Sequence, residues 1–270
     1  MIDIGANLTD ARFAADLADT LARARHAGVA HIIVTGTNLA SSAAAIALCG
    51  TLPDYLSCTS GIHPHDAARA PANWQFALRE LARAPAVRAI GETGLDFNRD
   101  FSPRAVQERV FETQLEIAAD LALPVFVHDR DTDGHLAALL RRHRTGLVGV
   151  VVHCFTGTAK ELDALLSLDC YIGITGWVCD ERRGTELARL VPRIPADRLL
   201  IETDAPYLTP RSLPVRPRPQ RNEPAFLGHI AARVAALRNE DVTALAAATS
   251  ANARRLFRLP LHPAPPAKPD

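Results

Sequence analysis

Five short apolar runs of this chain each lead into residues that bind metal ions or transfer protons. In chain order, the residues that follow these runs are His63-Pro64-His65-Asp66, Glu92-Thr93-Gly94-Leu95-Asp96, His128-Asp129-Arg130, His153-Cys154-Phe155 and Glu202-Thr203-Asp204. Imidazoles and carboxylates together suit Zn2+, Mn2+ or Co2+, and three or four protein ligands leave a coordination position open for water or substrate. Because a cation in such a site makes water more acidic, the pattern is typical of metal-assisted hydrolysis.

Each of these residues also has a structural interpretation. A single histidine at a strand end is more often hydrogen-bonded than a metal ligand, and Glu92 could be buried as an ion pair with Arg130. The joint pattern favours a metal site if the strand ends converge. We therefore predict that Glu92, His128, His153 and Asp204 surround one divalent cation.

The two carboxylates that follow the last apolar run have separate predicted roles. Asp204 is predicted to be the general base that takes the proton of the attacking water. Glu202 precedes it by two residues and is predicted to orient the metal ligands by hydrogen bonding without binding the metal itself. The sequence leaves the reverse assignment of these two roles open.

The elements that would position these residues alternate regularly along the chain. Apolar, β-branched runs at 2–4, 31–34, 56–59, 87–90, 124–127, 148–152, 171–174 and 199–201 read as strands. Segments with helical spacing lie between them, for example 10–26, 103–121 and 160–168. This α/β alternation, at roughly 30 to 35 residues per unit, predicts right-handed crossovers, a parallel sheet and a (β/α)8 TIM barrel.

The alternative to a barrel is an open doubly wound sheet that binds a dinucleotide. The first predicted strand is followed by Gly5-Ala6-Asn7-Leu8-Thr9 and not by a GxGxxG loop, so the barrel is favoured. We predict a single catalytic barrel domain over residues 1–260 and a proline-rich tail over 261–270. All strand ends would then meet at one mouth, where barrel enzymes carry their active sites.

The substrate class is suggested by the segment that follows Asp204. Residues 206–224 contain six prolines and four arginines against one acidic residue, which predicts a stiff basic loop beside the mouth. Guanidinium groups match phosphate oxygens, and His63 and His65 could donate to the same phosphate. A solvated cover that binds nothing is the alternative. With a hydrolytic metal, phosphate esters are favoured. A phosphodiester of a single strand could enter the mouth end-first, with its bases stacked on Phe97, Trp177 or Tyr207.

Composition excludes several other classes of protein. Lys+Arg 30 balances Asp+Glu 30, so the chain is not coated with positive charge for non-specific nucleic-acid binding. Five cysteines without CxxC spacing predict neither a disulfide framework nor a zinc finger. The chain shows no export signal and no apolar run long enough to span a membrane. We expect a cytoplasmic monomer with reduced thiols and no membrane partner.

Several segments resemble the TatD family of metal-dependent deoxyribonucleases, which are amidohydrolase-like TIM barrels. The likeness runs from Asp3 to about Leu259 and is closest to the bacterial branch at 173–184 and 221–224. It implies a 3'-5' exonuclease of single-stranded DNA and RNA that uses Mg2+. It also implies metal-ligand roles for Glu92, His128 and His153, with Asp204 as ligand or base. The segments that carry it are 61–65, 90–96, 127–130, 153–157 and 202–207.

The end of the first strand departs from the family pattern. The first strand of the family usually ends in an HxH pair that holds a second metal, whereas this chain has Gly5 and Asn7 there. Either one metal therefore acts alone, or a second is held weakly through Glu92, Asp204 and water. Two imidazoles favour Zn2+ or Mn2+, while the resemblance implies Mg2+.

Two other functions stay open on the residues alone. The same site could hydrolyse a small amide or ester. A non-enzymatic barrel whose metal only stabilises the fold is the third possibility.

Overall fold

The computed structural model describes residues 1–215, 217 and 220–260, and within them eight parallel strands pair in chain order. A parallel bridge between Ala6 and Ala205 joins the last strand to the first, so the sheet closes into the predicted (β/α)8 barrel. The strands are β1 Ile2–Ala6, β2 His31–Val34, β3 Leu56–Ser60, β4 Val87–Asp96, β5 Val125–Arg130, β6 Val150–Val152, β7 Tyr171–Ile174 and β8 Leu199–Ile201.

Helices connect and cover the strands. The predicted helix over 10–26 starts later, because Asp10 caps a short 3-10 turn and α1 begins only at Leu17. The helices of the described residues are α1 Leu17–His26, α2 Leu39–Thr51, α3 Trp74–Ala82, α4 Arg104–Leu121, α5 His135–His143, α6 Ala159–Ser167, α7 Thr185–Leu190, α8 Leu227–Arg238 and α9 Val242–Phe257. No helix in this part of the chain is both long and apolar enough to cross a bilayer.

Two strands are longer than the apolar runs predict. β4 continues to Asp96 and β5 to Arg130, because Gly94, Leu95 and Asp96 pair with His128, Asp129 and Arg130. Backbone pairing thus extends past the hydrophobic residues into the polar ones. Glu92 and His128 therefore lie on paired strands and not on loops, which limits how far either can move.

The barrel interior is apolar at one end and polar at the other. Ile4, Ile33, Phe126 and Leu200 form one buried cluster with Phe257 of α9. Burial of each such side chain contributes about 1.5–3 kcal/mol. Since this packing fills the end where the strands begin, the polar residues at the strand ends line the mouth.

The basic loop after β8 differs from its predicted role. Arg221 donates to both carboxylate oxygens of Asp16, at 2.7 Å each, and to Glu223 at 3.1 Å. Arg211 lies 3.1 Å from Asp180. These two arginines hold the loop to the barrel. Contrary to the prediction, their guanidinium groups pair with nearby carboxylates and do not face the substrate. Arg216, Arg218 and the tail 261–270 lie outside the described residues.

Candidate metal centre

Glu92 lies at the centre of the predicted site. Its Oε1 atom is 3.2 Å from His63 Nε2, 3.1 Å from His128 Nδ1 and 2.7 Å from His153 Nε2. The three imidazoles come from the loop after β3, from β5 and from the residue after β6. One carboxylate oxygen is thus surrounded by three ring nitrogens, which is an arrangement of donors that a divalent cation can occupy.

The ligand atoms of His63, Glu92 and His128 all lie within 4.8 Å of one another. His153 adjoins this group through Glu92. His63 is predicted from the sequence only as a phosphate donor, yet the structure places it among the potential metal ligands. The alternative ion pair between Glu92 and Arg130 is not formed, since Arg130 donates to Thr156 at 3.2 Å within the described part of the chain.

Asp96 is a functional candidate to which the sequence alone assigns no role. Its Oδ2 atom is 2.6 Å from His65 Nε2 and 3.5 Å from His128 Nε2, while backbone N–H groups of Asn98 and Arg99 donate to Oδ1. Burial alone would raise the pKa of Asp96, but His128, His65 and the Arg99 N–H group lower it well below its usual value. The spacing of Asp96 from Glu92 could have indicated its role, because residues four apart in a strand lie on the same face.

The charges of the imidazoles follow from these carboxylates. Burial alone would lower the pKa of His128, but Asp96 and Glu92 outweigh it and raise the pKa to about 9. Burial would likewise lower the pKa of His153, but Glu92 and Glu202 outweigh it and raise that pKa well above its usual value. A divalent cation beside these carboxylates would compete with protons for the ring nitrogens, so metal binding at such a site depends on pH.

Glu202 lies deeper in the barrel than Glu92 and is fully buried. Cys154 N donates to its Oε1 at 2.6 Å, and its Oε2 lies 3.5 Å from His153 Nδ1. A Cβ atom at Gly5 would be 2.5 Å from Oε2, and one at Gly173 would be 2.6 Å from Oε1. The carboxylate therefore fits only because both neighbouring strands carry glycine at these positions.

Asp204 is only partly buried and lines the cavity, whereas Glu202 lies behind His153. Asn7 Nδ2 donates to Asp204 Oδ1 at 3.0 Å. Burial raises the pKa of Asp204 to about 8, with Glu92 and Glu202 adding to the rise against the two nearby histidines. The structure thus places Asn7, at one of the HxH positions, against the carboxylate predicted as the base.

The site opens into a cavity of about 650 Å3. Tyr207 lines it, as the stacking prediction requires, and Phe101 lines it without having been predicted. The other two predicted stacking residues pack against arginines, with Arg104 over Phe97 at 4.4 Å and Arg183 over Trp177 at 4.5 Å. The volume of the cavity therefore gives a substrate room beside the imidazoles.

The donor set fits a divalent cation. Among the described residues, His128 Nε2, His153 Nδ1 and Glu202 Oε2 are buried without an aligned hydrogen-bond partner. Such unsatisfied buried polar atoms are costly unless another group satisfies or orients them. A cation on the opposite ring nitrogens would fix the rings, with Asp96 and Glu202 beside their outer nitrogens, as carboxylates do in histidine metal sites.

A parallel barrel with histidines and carboxylates gathered at its strand ends defines the class of metal-dependent hydrolases with an amidohydrolase-like fold. A family model described as TatD related DNase matches residues 2–258. The chain therefore belongs to the TatD-related DNase family.

Individual relatives agree with this assignment. The chain is 54% identical over 259 residues to the 3'-5' ssDNA/RNA exonuclease TatD of Edwardsiella piscicida, covering 96% of this chain and 100% of that protein. A crystal structure of a TatD homologue from Escherichia coli K12 has a TM-score of 0.88 at 30% identity, covering 96% of this chain and 98% of that one. An amidohydrolase from Saccharomyces cerevisiae has a TM-score of 0.83 at 25% identity, covering 95% and 99%.

Proposed function

We propose that the protein is a metal-dependent 3'-5' exonuclease that hydrolyses phosphodiester bonds of single-stranded DNA and RNA. The observation that carries this proposal is the ring of three imidazole nitrogens around Glu92 Oε1 at the floor of an open cavity. The substrate class follows from the relative that is 54% identical over nearly the whole chain. That similarity favours a nuclease over the alternative, a hydrolase of a small amide or ester.

Glu92, His128 and His153 are the proposed metal ligands, and the position of His63 supports its joining them. The proposed ion is Mg2+, following the family resemblance, while the imidazoles also suit Mn2+ or Zn2+. When bound, a divalent cation polarises the phosphodiester and makes water acidic enough to attack near neutral pH. His65, held by Asp96, is the proposed donor to the substrate phosphate. His63, predicted with it, takes that role only if its Nε2 atom is not bound to the metal, because its Nδ1 atom accepts from His65 N at 3.1 Å.

Asp204 is the proposed general base. Because its Oδ1 accepts a hydrogen bond from Asn7, Oδ2 is the oxygen that can take the proton of the attacking water. Water adds to phosphorus, the bond from phosphorus to the 3'-oxygen of the preceding nucleotide breaks, and that oxygen receives the proton. A base needs its unprotonated form, and a nearby cation would lower the raised pKa of Asp204 by stabilising the carboxylate.

The test is digestion of a 5'-labelled single strand by the purified protein with Mg2+, Mn2+ or Zn2+. We expect stepwise shortening from the 3' end and release of mononucleotides, and we expect His128→Ala and Glu92→Ala each to abolish both. His26→Ala, at an exposed histidine at the end of α1, is the matched control and should digest normally. Undiminished nucleotide release in both site variants would refute the proposed site.

We further propose a cytoplasmic monomer whose catalytic domain spans residues 1–260. The location is supported by five cysteines that are all free, as expected in a reducing compartment. Size-exclusion chromatography with light scattering tests the monomer, for which the expected mass is 29.1 kDa.

A further inference from the structure

Two aromatic side chains remain exposed on the wall of the catalytic cavity. Phe101 is 62% exposed and Tyr207 is 47% exposed, and both line the cavity that contains Glu92. Other large exposed apolar residues of the described chain, such as Phe76 on α3, do not line it. Single exposed apolar residues are ordinary on a surface, but two aromatic rings beside one set of imidazoles are a specific arrangement.

Phe101 is held in place although its ring is exposed. Its ring lies edge-on to the ring of His65, with centroids 4.7 Å apart. The next residue, Ser102, is buried, accepts from Ala68 N at 3.0 Å and donates to His65 O at 3.2 Å. Gln107 Nε2 also donates to Ser102 O at 2.8 Å. These bonds fix the backbone beside Phe101, so little ordering is needed when the ring contacts a ligand.

Tyr207 is anchored by its edge and by one face. Its hydroxyl donates to Asp10 Oδ2 at 3.3 Å, and the Arg12 guanidinium lies 4.3 Å from the ring centroid. Arg12 is in turn paired with Asp10 at 2.9 Å. The ring is thus rigid yet nearly half exposed, which leaves aromatic surface for a second planar group.

The topology places the two rings on opposite sides of the mouth. Phe101 follows β4 and Tyr207 follows β8, and these strands are four positions apart in the ring of eight. Between them lie the imidazoles around Glu92. Arg69, which also lines the cavity, adds a positive charge at the rim and is 3.7 Å from Asp66. A flexible strand whose scissile phosphate reaches the imidazoles would therefore bring its neighbouring bases towards aromatic rings.

We propose that Phe101 and Tyr207 are two nucleobase-stacking platforms that hold the bases on either side of the scissile phosphate. This inference rests on the proposed nuclease function and adds the contacts by which that substrate is held. Stacking on an aromatic face tolerates every base, so the platforms bind without sequence preference. They also favour single strands, because the bases of a duplex are already stacked on one another.

The experiment combines protein variants with abasic substrates. Digestion of a 5'-labelled single strand is measured for the wild type, Phe101→Ala and Tyr207→Ala, with one abasic residue placed in turn at each of the last three positions. Phe76→Ala is the matched control, since Phe76 is 67% exposed outside the cavity. Binding of the same strands in EDTA is measured by fluorescence anisotropy, which reports on stacking without catalysis.

We expect Phe101→Ala and Tyr207→Ala each to lower kcat/KM and affinity by about 5- to 150-fold, as for the loss of one stacked base. In the wild type, an abasic residue at a position whose base stacks should lower kcat/KM by a similar factor. Each variant should lose this sensitivity at one position only, and that position should differ between the two variants. Phe76→Ala should match the wild type.

Two results would overturn the platforms while leaving the nuclease intact. The first result is that Phe101→Ala and Tyr207→Ala both have the same kcat/KM and strand affinity as Phe76→Ala. The other is an abasic penalty that is equally large in the wild type and in both variants. A wild-type protein that shortens no single strand with any of the three metals would instead overturn the proposed function, and the platforms with it.

Discussion

Gly5 is one of the two positions where this chain departs from the family's HxH pair, and the structure explains why a side chain does not fit there. A Cβ atom at Gly5 would lie 2.5 Å from Glu202 Oε2 and 3.0 Å from Phe126 Cζ. Neither neighbour can withdraw easily. The Glu202 carboxylate is held by Cys154 N at 2.6 Å, and Phe126 is fully buried. We therefore predict that Gly5→Ala destabilises the fold.

The magnitude is the difference between two opposing effects. Overpacking of a well-packed interior costs about 1–3 kcal/mol. Replacing glycine by alanine recovers about 0.4–1 kcal/mol through the unfolded chain. The free energy of unfolding should thus fall by up to about 2.6 kcal/mol. Each kcal/mol lowers Tm by about 2–4 °C in large domains.

Thermal unfolding of the wild type and four variants tests this explanation. Gly50→Ala is the control, because a Cβ atom there meets nothing within 4 Å, and its Tm should stay equal or rise. In a Glu202→Ala background the collision with the carboxylate is removed and only the milder approach to Phe126 at 3.0 Å remains, so Gly5→Ala should lower Tm clearly less than it does in the wild type. If Gly5→Ala lowers Tm equally in both backgrounds, the carboxylate is not the obstacle and the reasoning is wrong.

Two further predictions concern buried carboxylates. Asp96→Asn turns an amide N–H2 group towards the His128 ring that the carboxylate orients, so Mn2+ affinity measured by calorimetry should fall about 10- to 100-fold. Asp100→Asn, at an exposed neighbouring residue, is the control and should leave the Mn2+ affinity unchanged. Equal Mn2+ affinities in the two variants would contradict the role of Asp96. Burial raises the pKa of Asp3 to about 7, so its protonated form stabilises the fold at acidic pH and this contribution is lost as the pH rises towards 7. Relative to Asp3→Asn, which can keep the contacts with Thr203, the wild type should lose on the order of 3 kcal/mol of unfolding free energy between pH 5 and pH 8. Urea unfolding at both pH values measures this, and a difference independent of pH would exclude the titration.

The sequence alone was sufficient for the barrel and for the positions of the main candidate residues at its mouth. Strands and helices are set by near-neighbour periodicity and backbone hydrogen bonding, which a single chain displays directly. Once eight strands alternate with helices, parallel pairing brings every strand end to one mouth. Glu92, His128, His153 and Asp204 could therefore be placed at that mouth from their positions after apolar runs.

Only the tertiary structure decided which groups touch. Whether Asp96 meets His128, whether Glu202 fits between two glycines, and whether Arg221 faces substrate or Asp16 depend on separations of an ångström or two between residues far apart in the chain. Hydrogen bonds and ion pairs lose their strength over such distances, and periodicity carries no information about them. The exposed ring of Phe101 belongs to the same category, because exposure is a property of the packed molecule and not of a residue type.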